Sequence, residues 1–209
     1  MSDYSRLVLE RLMHYHRFLT ESWTPESEDA EAVASREIAR ALEVDPTQVR
    51  KDLASIGLRG KGRVGFNVKE TLRAIRRVLG FDETHLAIVV GAGHLGGALM
   101  AYRNFAKYGL RIVAAFDRDQ DKVGRELAGC PVRDVASMGE FIGRHQIALA
   151  IITTPAPAAQ EVADRLVEAG VRGIWNFAPT SLTVPEGVCL RTEHISLGLA
   201  EMAHHLTHG

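Results

Sequence analysis

Leu86-Ala87-Ile88-Val89-Val90-Gly91-Ala92-Gly93-His94-Leu95-Gly96 decides the fold: an unbroken apolar run enters glycines spaced G-x-G-x-x-G. A strand buried on both faces reads as such a run, and the glycines mark a tight turn into an Ala/Leu/Met helix predicted through Met100 and Phe105. A second apolar strand, Ile112 to Phe116, ends at Asp117, roughly 20 residues past the last glycine, as a dinucleotide-binding βαβ unit requires. Gly91 permits the turn, Gly93 lets pyrophosphate approach the backbone, and Gly96 lets helix and strand pack closely, while the helix N-terminus offers free N–H groups to phosphate.

The block Gly91, Ala92, Gly93, His94, Leu95 and Gly96 is therefore expected to cradle a dinucleotide. Asp117 is placed to accept the hydroxyls of the adenosine ribose and to repel a 2′-phosphate, which favours NAD and NADH over their phosphorylated relatives. Arg118 argues the other way, because an arginine there accommodates that phosphate. The alternative reading of the block is a nucleotide-free α/β domain whose glycines only pack helix on sheet.

The remainder of this half alternates: a short helix from Asp121 to Ala128, a strand at Cys130-Pro131-Val132, a helix to Arg144, a buried strand from Ile147 to Ile152, a helix to Ala169 and a strand at Gly173-Ile174-Trp175. That alternation predicts an α/β fold with a doubly wound parallel sheet, a Rossmann domain. Ligands bind such sheets at the C-terminal ends of strands, which brings forward Thr153, Thr154, Pro155 and Asn176 as further cofactor contacts. Thr154 has a second reading as a helix cap.

The chain has 209 residues and a formal net charge of only −1, but the charge is unevenly spread. Between Pro46 and Arg77 lie Arg50, Lys51, Arg59, Lys61, Arg63, Lys69, Arg73, Arg76 and Arg77 against Asp52 and Glu70. A local basic face predicts a local polyanionic partner. Leu7, Leu12, Tyr15, Phe18 and Leu19 predict a first helix, ending near an acidic loop from Trp23 to Asp29. Ser35 is expected to cap a short helix carrying Ile38, Ala39 and Leu42. Asp45 as N-cap, Pro46 at the first helical position and Gln48 after them start the next.

Two short helices joined by a turn form a helix-turn-helix pattern. Val49, Leu53 and Ile56 face its core; Thr47, Gln48, Arg50, Lys51 and Ser55 are the expected DNA contacts of the second helix, with Ala54 allowing close approach. The stretch Gly57 to Phe66 reads as a hairpin wing with Arg59, Lys61 and Arg63 on alternate positions, and Val68, Leu72, Ile75 and Leu79 mark a closing helix that Gly80 ends. This predicts an N-terminal winged helix-turn-helix over 1–80, a Rossmann domain over 81–192 opening on the linker Phe81-Asp82-Glu83-Thr84, and a separate last helix over 193–209. In that helix Ile195, Leu199, Met202 and Leu206 form an apolar seam that covers either its own sheet or a second subunit.

No apolar run is long enough to span a membrane, and Asp3, Arg6 and Glu10 interrupt any signal-peptide core, so a cytoplasmic protein is expected. Cys130 and Cys189 have no metal-ligand spacing, so no metal site is expected.

Four blocks carry a resemblance: Gln48-Val49-Arg50-Lys51-Asp52-Leu53, the Gly91 to Gly96 turn, Phe116-Asp117, and Gly173-Ile174-Trp175-Asn176-Phe177-Ala178-Pro179. In this order they resemble the Rex family of redox-sensing transcriptional repressors over essentially the whole chain. The resemblance implies a homodimer with an exchanged C-terminal helix that binds operator DNA and leaves it when NADH replaces NAD. Three positions depart from the family's pattern: His94 in the glycine turn, Phe66 at the end of the wing, and Glu193-His194-Ile195 at the start of the last helix. The competing classes are an NAD(P)-dependent oxidoreductase, for which His194, His204, His205 and His208 would offer proton transfer, and a coenzyme A-binding regulator.

Overall fold

The apolar stripe at the N-terminus forms helix α1 (Arg6–Ser22), with Leu12, Tyr15 and Leu19 fully buried against the rest of the first unit. Residues 4–23 and 32–208 are described by this computed structural model, and the acidic stretch read as a loop at 24–29 lies outside them. The chain divides into two units, Met1–Glu83 and Thr84–Gly209.

In the first unit, strand β1 (Ala32–Val33) leads into α2 (Ser35–Leu42), α3 (Pro46–Ser55), β2 (Phe66–Asn67) and α4 (Val68–Leu79). Ser35 is not the cap of α2: Ala34 holds that place, its N–H donating to the Glu37 carboxylate at 2.8 Å. Helix α3 begins as read, with Pro46 in the first turn and the Thr47 N–H donating to Asp45 Oδ1 at 2.6 Å. Strand β2 pairs antiparallel with β1, Val33 opposite Phe66, and Asn67 then caps α4 by accepting from the Glu70 N–H at 2.9 Å.

The wing is tighter than a regular hairpin. A single bridge joins Lys61 to Gly65, and Arg63 between them takes a left-handed φ of 66°. Alternation along a ladder therefore does not set its side chains; Arg59, Lys61 and Arg63 are exposed because the turn projects into solvent. Gly80 closes α4 with φ 72°, and the next three residues stay with this unit rather than acting as a free linker. Arg76 donates to the Phe81 carbonyl and to Asp82, and the Phe81 ring meets the buried His16 edge-on at 5.5 Å.

The second unit is built on β3 (His85–Val90), β4 (Leu110–Asp117), β5 (Glu126–Leu127), β6 (Cys130–Asp134), β7 (Leu149–Ile152), β8 (Gly173–Asn176) and β9 (Cys189–Thr192). Their order is β5-β6-β4-β3-β7-β8-β9, parallel except for β5, with α5 (His94–Ala101), α6 (Met138–His145) and α7 (Ala156–Glu168) as connections and α8 (Ile195–His208) last. This is the doubly wound Rossmann order, reversing direction at β3. Helix α5 ends at Ala101, and Arg103–Tyr108 continues as a 3-10 turn.

The short helix read at Asp121 to Ala128 is absent. Gly124, Ala128 and Gly129 take positive φ, and the Gly124 N–H donates to the Val132 carbonyl, so the segment folds back as the β5–β6 hairpin. Strand β4 carries one register shift: Ala87 pairs with Ile112 but Ile88 with Ala114, leaving Val113 as an extra residue. Beyond it, Val90 stands opposite Phe116 on one side and Ile152 on the other. The next residue of each strand, Gly91, Asp117 and Thr153, therefore lies side by side at the C-terminal edge.

A Cβ on Gly96 would overlap the Gly91 carbonyl oxygen and lie 3.0 Å from Thr153 Oγ1, whereas one on Gly93 would meet nothing within 4 Å. Gly96→Ala should therefore destabilise the second unit by about 1–3 kcal/mol or more through overpacking. Gly93→Ala should change stability by less than about 1 kcal/mol. Denaturant unfolding of the two variants distinguishes the packing glycine from the open one.

Candidate functional site

The aligned strand ends open a cleft of about 630 Å³ in the second unit, lined by Gly91, Gly93, Leu95, Asp117, Arg118 and Thr154 among others. The Gly91 N–H continues the ladder to the Phe116 carbonyl at 2.8 Å, and the Thr153 N–H does the same to Val90 at 2.9 Å. Thr153 then turns its hydroxyl onto the Gly91 carbonyl at 2.7 Å, which staples β7 to the glycine turn, and the residue itself lines the cleft. Gly91 takes φ 105°, open to glycine and strained for any side chain. Ala92 and Gly96 are buried behind the turn, and His94 is exposed outside the lining.

Asp117 is partly buried and well supplied with donors. Its Oδ2 accepts from the Ala92 N–H at 2.8 Å and from Lys122 Nζ at 3.1 Å, and its Oδ1 from the Asp119 N–H at 3.0 Å. Burial pushes this carboxyl up, but the Asp119, Lys122 and Ala92 donors and the Lys122 charge outweigh it and hold the group below the ordinary carboxylate range. It is a carboxylate at neutral pH, on the wall of the cleft.

Thr154 does not cap α7: the cap position is Pro155, with no side-chain bond. Its Oγ1 is buried without a hydrogen-bond partner among the described residues, and the residue lines the cleft. A buried hydroxyl left unpaired costs about 1–3 kcal/mol, which sets Thr154 apart from Thr153, whose hydroxyl is bonded.

Asn176 requires a correction. It is fully buried, its Oδ1 accepting from the Ala178 N–H at 2.9 Å and its Nδ2 donating to the Thr180 carbonyl at 2.9 Å. The amide shapes the Asn-Phe-Ala-Pro loop, and Phe177 and Pro179 from that loop line the cleft instead. Not foreseen at all were Val135, Glu161 and Arg165 on the far wall; Arg165 donates to the Val135 carbonyl at 2.9 Å. The i, i+4 spacing of Glu161 and Arg165 gave the only sequence signal.

In the first unit a second concavity, about 670 Å³, runs between α2, α3 and the wing. Five cations line it: Arg36, Arg50, Arg59, Lys61 and Arg63. Arg36 escaped the sequence reading because it lies before the basic run. Arg50 is braced by Thr47 Oγ1 at 3.1 Å and Ser35 Oγ at 3.2 Å, while Lys51 and Ser55 stand exposed on the outer face of α3.

Gln48 departs from the expectation. Its Nε2 donates to Asp52 Oδ1 at 2.8 Å, inward rather than toward a groove. Asp52, only 2% exposed, also accepts Arg11 Nε at 2.6 Å, Arg11 Nη2 at 2.8 Å and the Tyr15 hydroxyl at 2.8 Å. Burial pushes the Asp52 carboxyl up, and the Arg11, Tyr15 and Gln48 hydrogen bonds bring it below its ordinary value. Burial first, then Asp52, raises the Tyr15 phenol, which stays a donor.

Set beside known proteins, residues 5–54 match a family model described as a putative DNA-binding protein N-terminus, and residues 82–180 one described as a CoA binding domain. The chain is 39% identical over 203 residues to the redox-sensing transcriptional repressor Rex of Brevibacillus brevis, covering 97% of each. It belongs to the Rex family. The Rex of Carboxydothermus hydrogenoformans is 41% identical over 192 residues, covering 92% of this chain and 91% of its own. The Rex-family repressor RSP, solved in complex with β-NAD+ and operator DNA, superposes with a TM-score of 0.92 at 36% identity, covering 99% of this chain and 94% of that one. RSP in complex with β-NADH gives 0.88 at 35% identity, over 99% and 95%.

A carboxyl whose value is lower in the folded protein stabilises it above the unfolded value, about pH 4, and loses that contribution as pH falls through the folded value. Asp52 and Asp117 both carry this sign. Asp52→Asn should be less stable at neutral pH, yet lose less further stability between about pH 5 and pH 2 than the unaltered protein. Acid titration followed by circular dichroism reads both effects.

Proposed function

We propose that this chain is a redox-sensing transcriptional repressor: a homodimer that holds operator DNA with its first units and leaves it when NADH replaces NAD in the cleft of its second. One observation carries the reading. A single chain joins a winged helix with five cations in one groove to a Rossmann cleft lined by a carboxylate at the end of its second strand, and it matches relatives named redox-sensing transcriptional repressors over more than nine-tenths of its length. A repressor of this kind works in the cytoplasm, in keeping with the absence of any helix among the described residues long and apolar enough to cross a membrane. It has no need to turn a substrate over.

In this reading the open space beside Gly93 and the N-terminus of α5 take the pyrophosphate, and Asp117 takes the adenosine ribose, whose diol displaces the partly exposed Lys122 from Oδ2. The Thr154 hydroxyl gains the partner it lacks. Arg50, Lys51, Arg59, Lys61 and Arg63 face DNA, and Arg36 joins them. The expected domains, 1–80 as the DNA reader and 81–192 as the cofactor sensor, agree with the units except that residues 81–83 stay with the first.

The match to a CoA binding domain favours one second reading, coenzyme A in the same cleft. Coenzyme A carries a 3′-phosphate on the ribose that Asp117 would face, and a buried carboxylate beside a phosphate is repulsive, so a free diol fits better. Asp117→Asn should weaken NAD and NADH alike, by about tenfold for one lost charge-assisted bond, and leave their ratio unchanged. Calorimetry with each dinucleotide and with coenzyme A decides between the ligands. Operator binding at fixed salt, titrated separately with NAD and NADH, tests the sensor: release by NADH alone is expected, and equal response to both overturns it.

Dimerisation through residues 193–209 is supported by α8, where Leu197, Leu199, Met202 and Leu206 are 59–88% exposed. Large apolar side chains gathered on one exposed helix mark an interaction surface, and exchange between subunits would cover it. Truncation before Ile195 should yield monomers or aggregates in sedimentation, and a stable dimer would refute the exchange.

A further inference from the structure

The Asp52 cluster is more than the fold requires. Its neighbours Val49 and Leu53 are fully buried, and a leucine at this inward position would extend the same apolar face. Instead a carboxylate is taken out of water, which is costly, and aspartate is a poor residue for a helix interior. Its two oxygens take four hydrogen bonds from three side chains. The Arg11 fork and Tyr15, one turn apart on α1, hold it from outside, and Gln48, one turn back on α3, holds it from within.

Apolar packing is non-directional and lets a helix rotate or slide by fractions of an ångström. A bidentate fork does not, because its bonds fail outside a narrow range of distance and angle. Base-edge recognition needs that same tolerance of the outward side chains. The cluster also turns Gln48 inward, so the exposed face at the start of α3 offers Thr47 and, one turn on, the braced Arg50 in its place.

Resting on the reading of α3 as the DNA-reading helix, we propose that Asp52 is a positioning residue for operator recognition: clamped by Arg11 and Tyr15, it sets the rotation and depth of α3, and hence sequence discrimination rather than general DNA affinity.

The test uses the full-length protein, the duplex that it selects from a randomised pool, and an unrelated duplex of equal length at one salt concentration. In the variant Arg11→Met, Tyr15→Phe, Asp52→Leu the ionic cluster is replaced by apolar volume, a change that protein cores often tolerate without loss of stability. The expected result is a folded protein with ordinary NADH binding, unrelated-duplex affinity within about twofold and an unchanged salt slope, but preference for the selected duplex reduced at least about tenfold. Unchanged preference overturns the proposal, as does an equal loss on both duplexes, which marks a merely structural role. Should the triple variant fail to fold, Tyr15→Phe removes one bond to the carboxylate with the ring retained. A preference lowered about threefold at unchanged unrelated-duplex affinity then supports the proposal, and no change overturns it. Arg50→Ala and Lys51→Ala are run alongside. If they also leave the preference intact, the reading of α3 has failed; if they abolish it while the cluster variants do not, only the positioning role has.

Discussion

Helix α5 starts so close above the end of β3 that Gly96 lies on the Gly91 carbonyl, which is itself held by the Thr153 hydroxyl. This crossing ties three chain segments together at one point of the sheet edge. It aims the N-terminus of α5 into the cleft, keeps Gly93 clear of any neighbour, and brings the Ala92 N–H within reach of Asp117. The cleft is thus a by-product of packing: the contact made where the sheet reverses direction at β3 also leaves the space beside Gly93 open.

The two units handle charge in opposite ways. In the first, cations line an open groove in contact with solvent, so their attraction for a polyanion weakens as salt rises. In the second, Asp117 and Lys122 neutralise each other at the mouth of the cleft, so the carboxylate there is already paired. A near-zero net charge conceals both arrangements, because neither depends on the total.

Periodicity and glycine spacing make most of the architecture legible in the sequence. Buried parallel strands are apolar throughout, and Asp45-Pro46, Asn67 and Gly80 are local signals acting over a few residues. What stayed hidden depends on partners far along the chain. Asp52 looked like a stray acid in a basic helix because Arg11 and Tyr15 lie 41 and 37 residues away. An aspartate on the inward face of a helix, four residues after a glutamine, was the available hint. Asn176 sits where ligand contacts are common, yet its amide is consumed within its own loop, which no spacing rule distinguishes. The segment after Asp121 has good helix formers, but the left-handed backbone at Gly124, Ala128 and Gly129 favours the hairpin.

The extra residue at Val113 bears on how such chains are compared. If β4 paired with β3 without that shift, Val90 would face Ala115, and Asp117 would stand one residue, about 3.3 Å, further out and turned to the other face. The strand carries slack, taken up in its middle, so that both of its ends meet their appointments: Leu110 beside His85, Phe116 beside Val90. The count between the last glycine and the acidic residue is therefore an elastic quantity. What selection can hold constant is the position of the carboxylate against the turn, and alignments that insist on a fixed interval would place a gap where the molecule has only a bend.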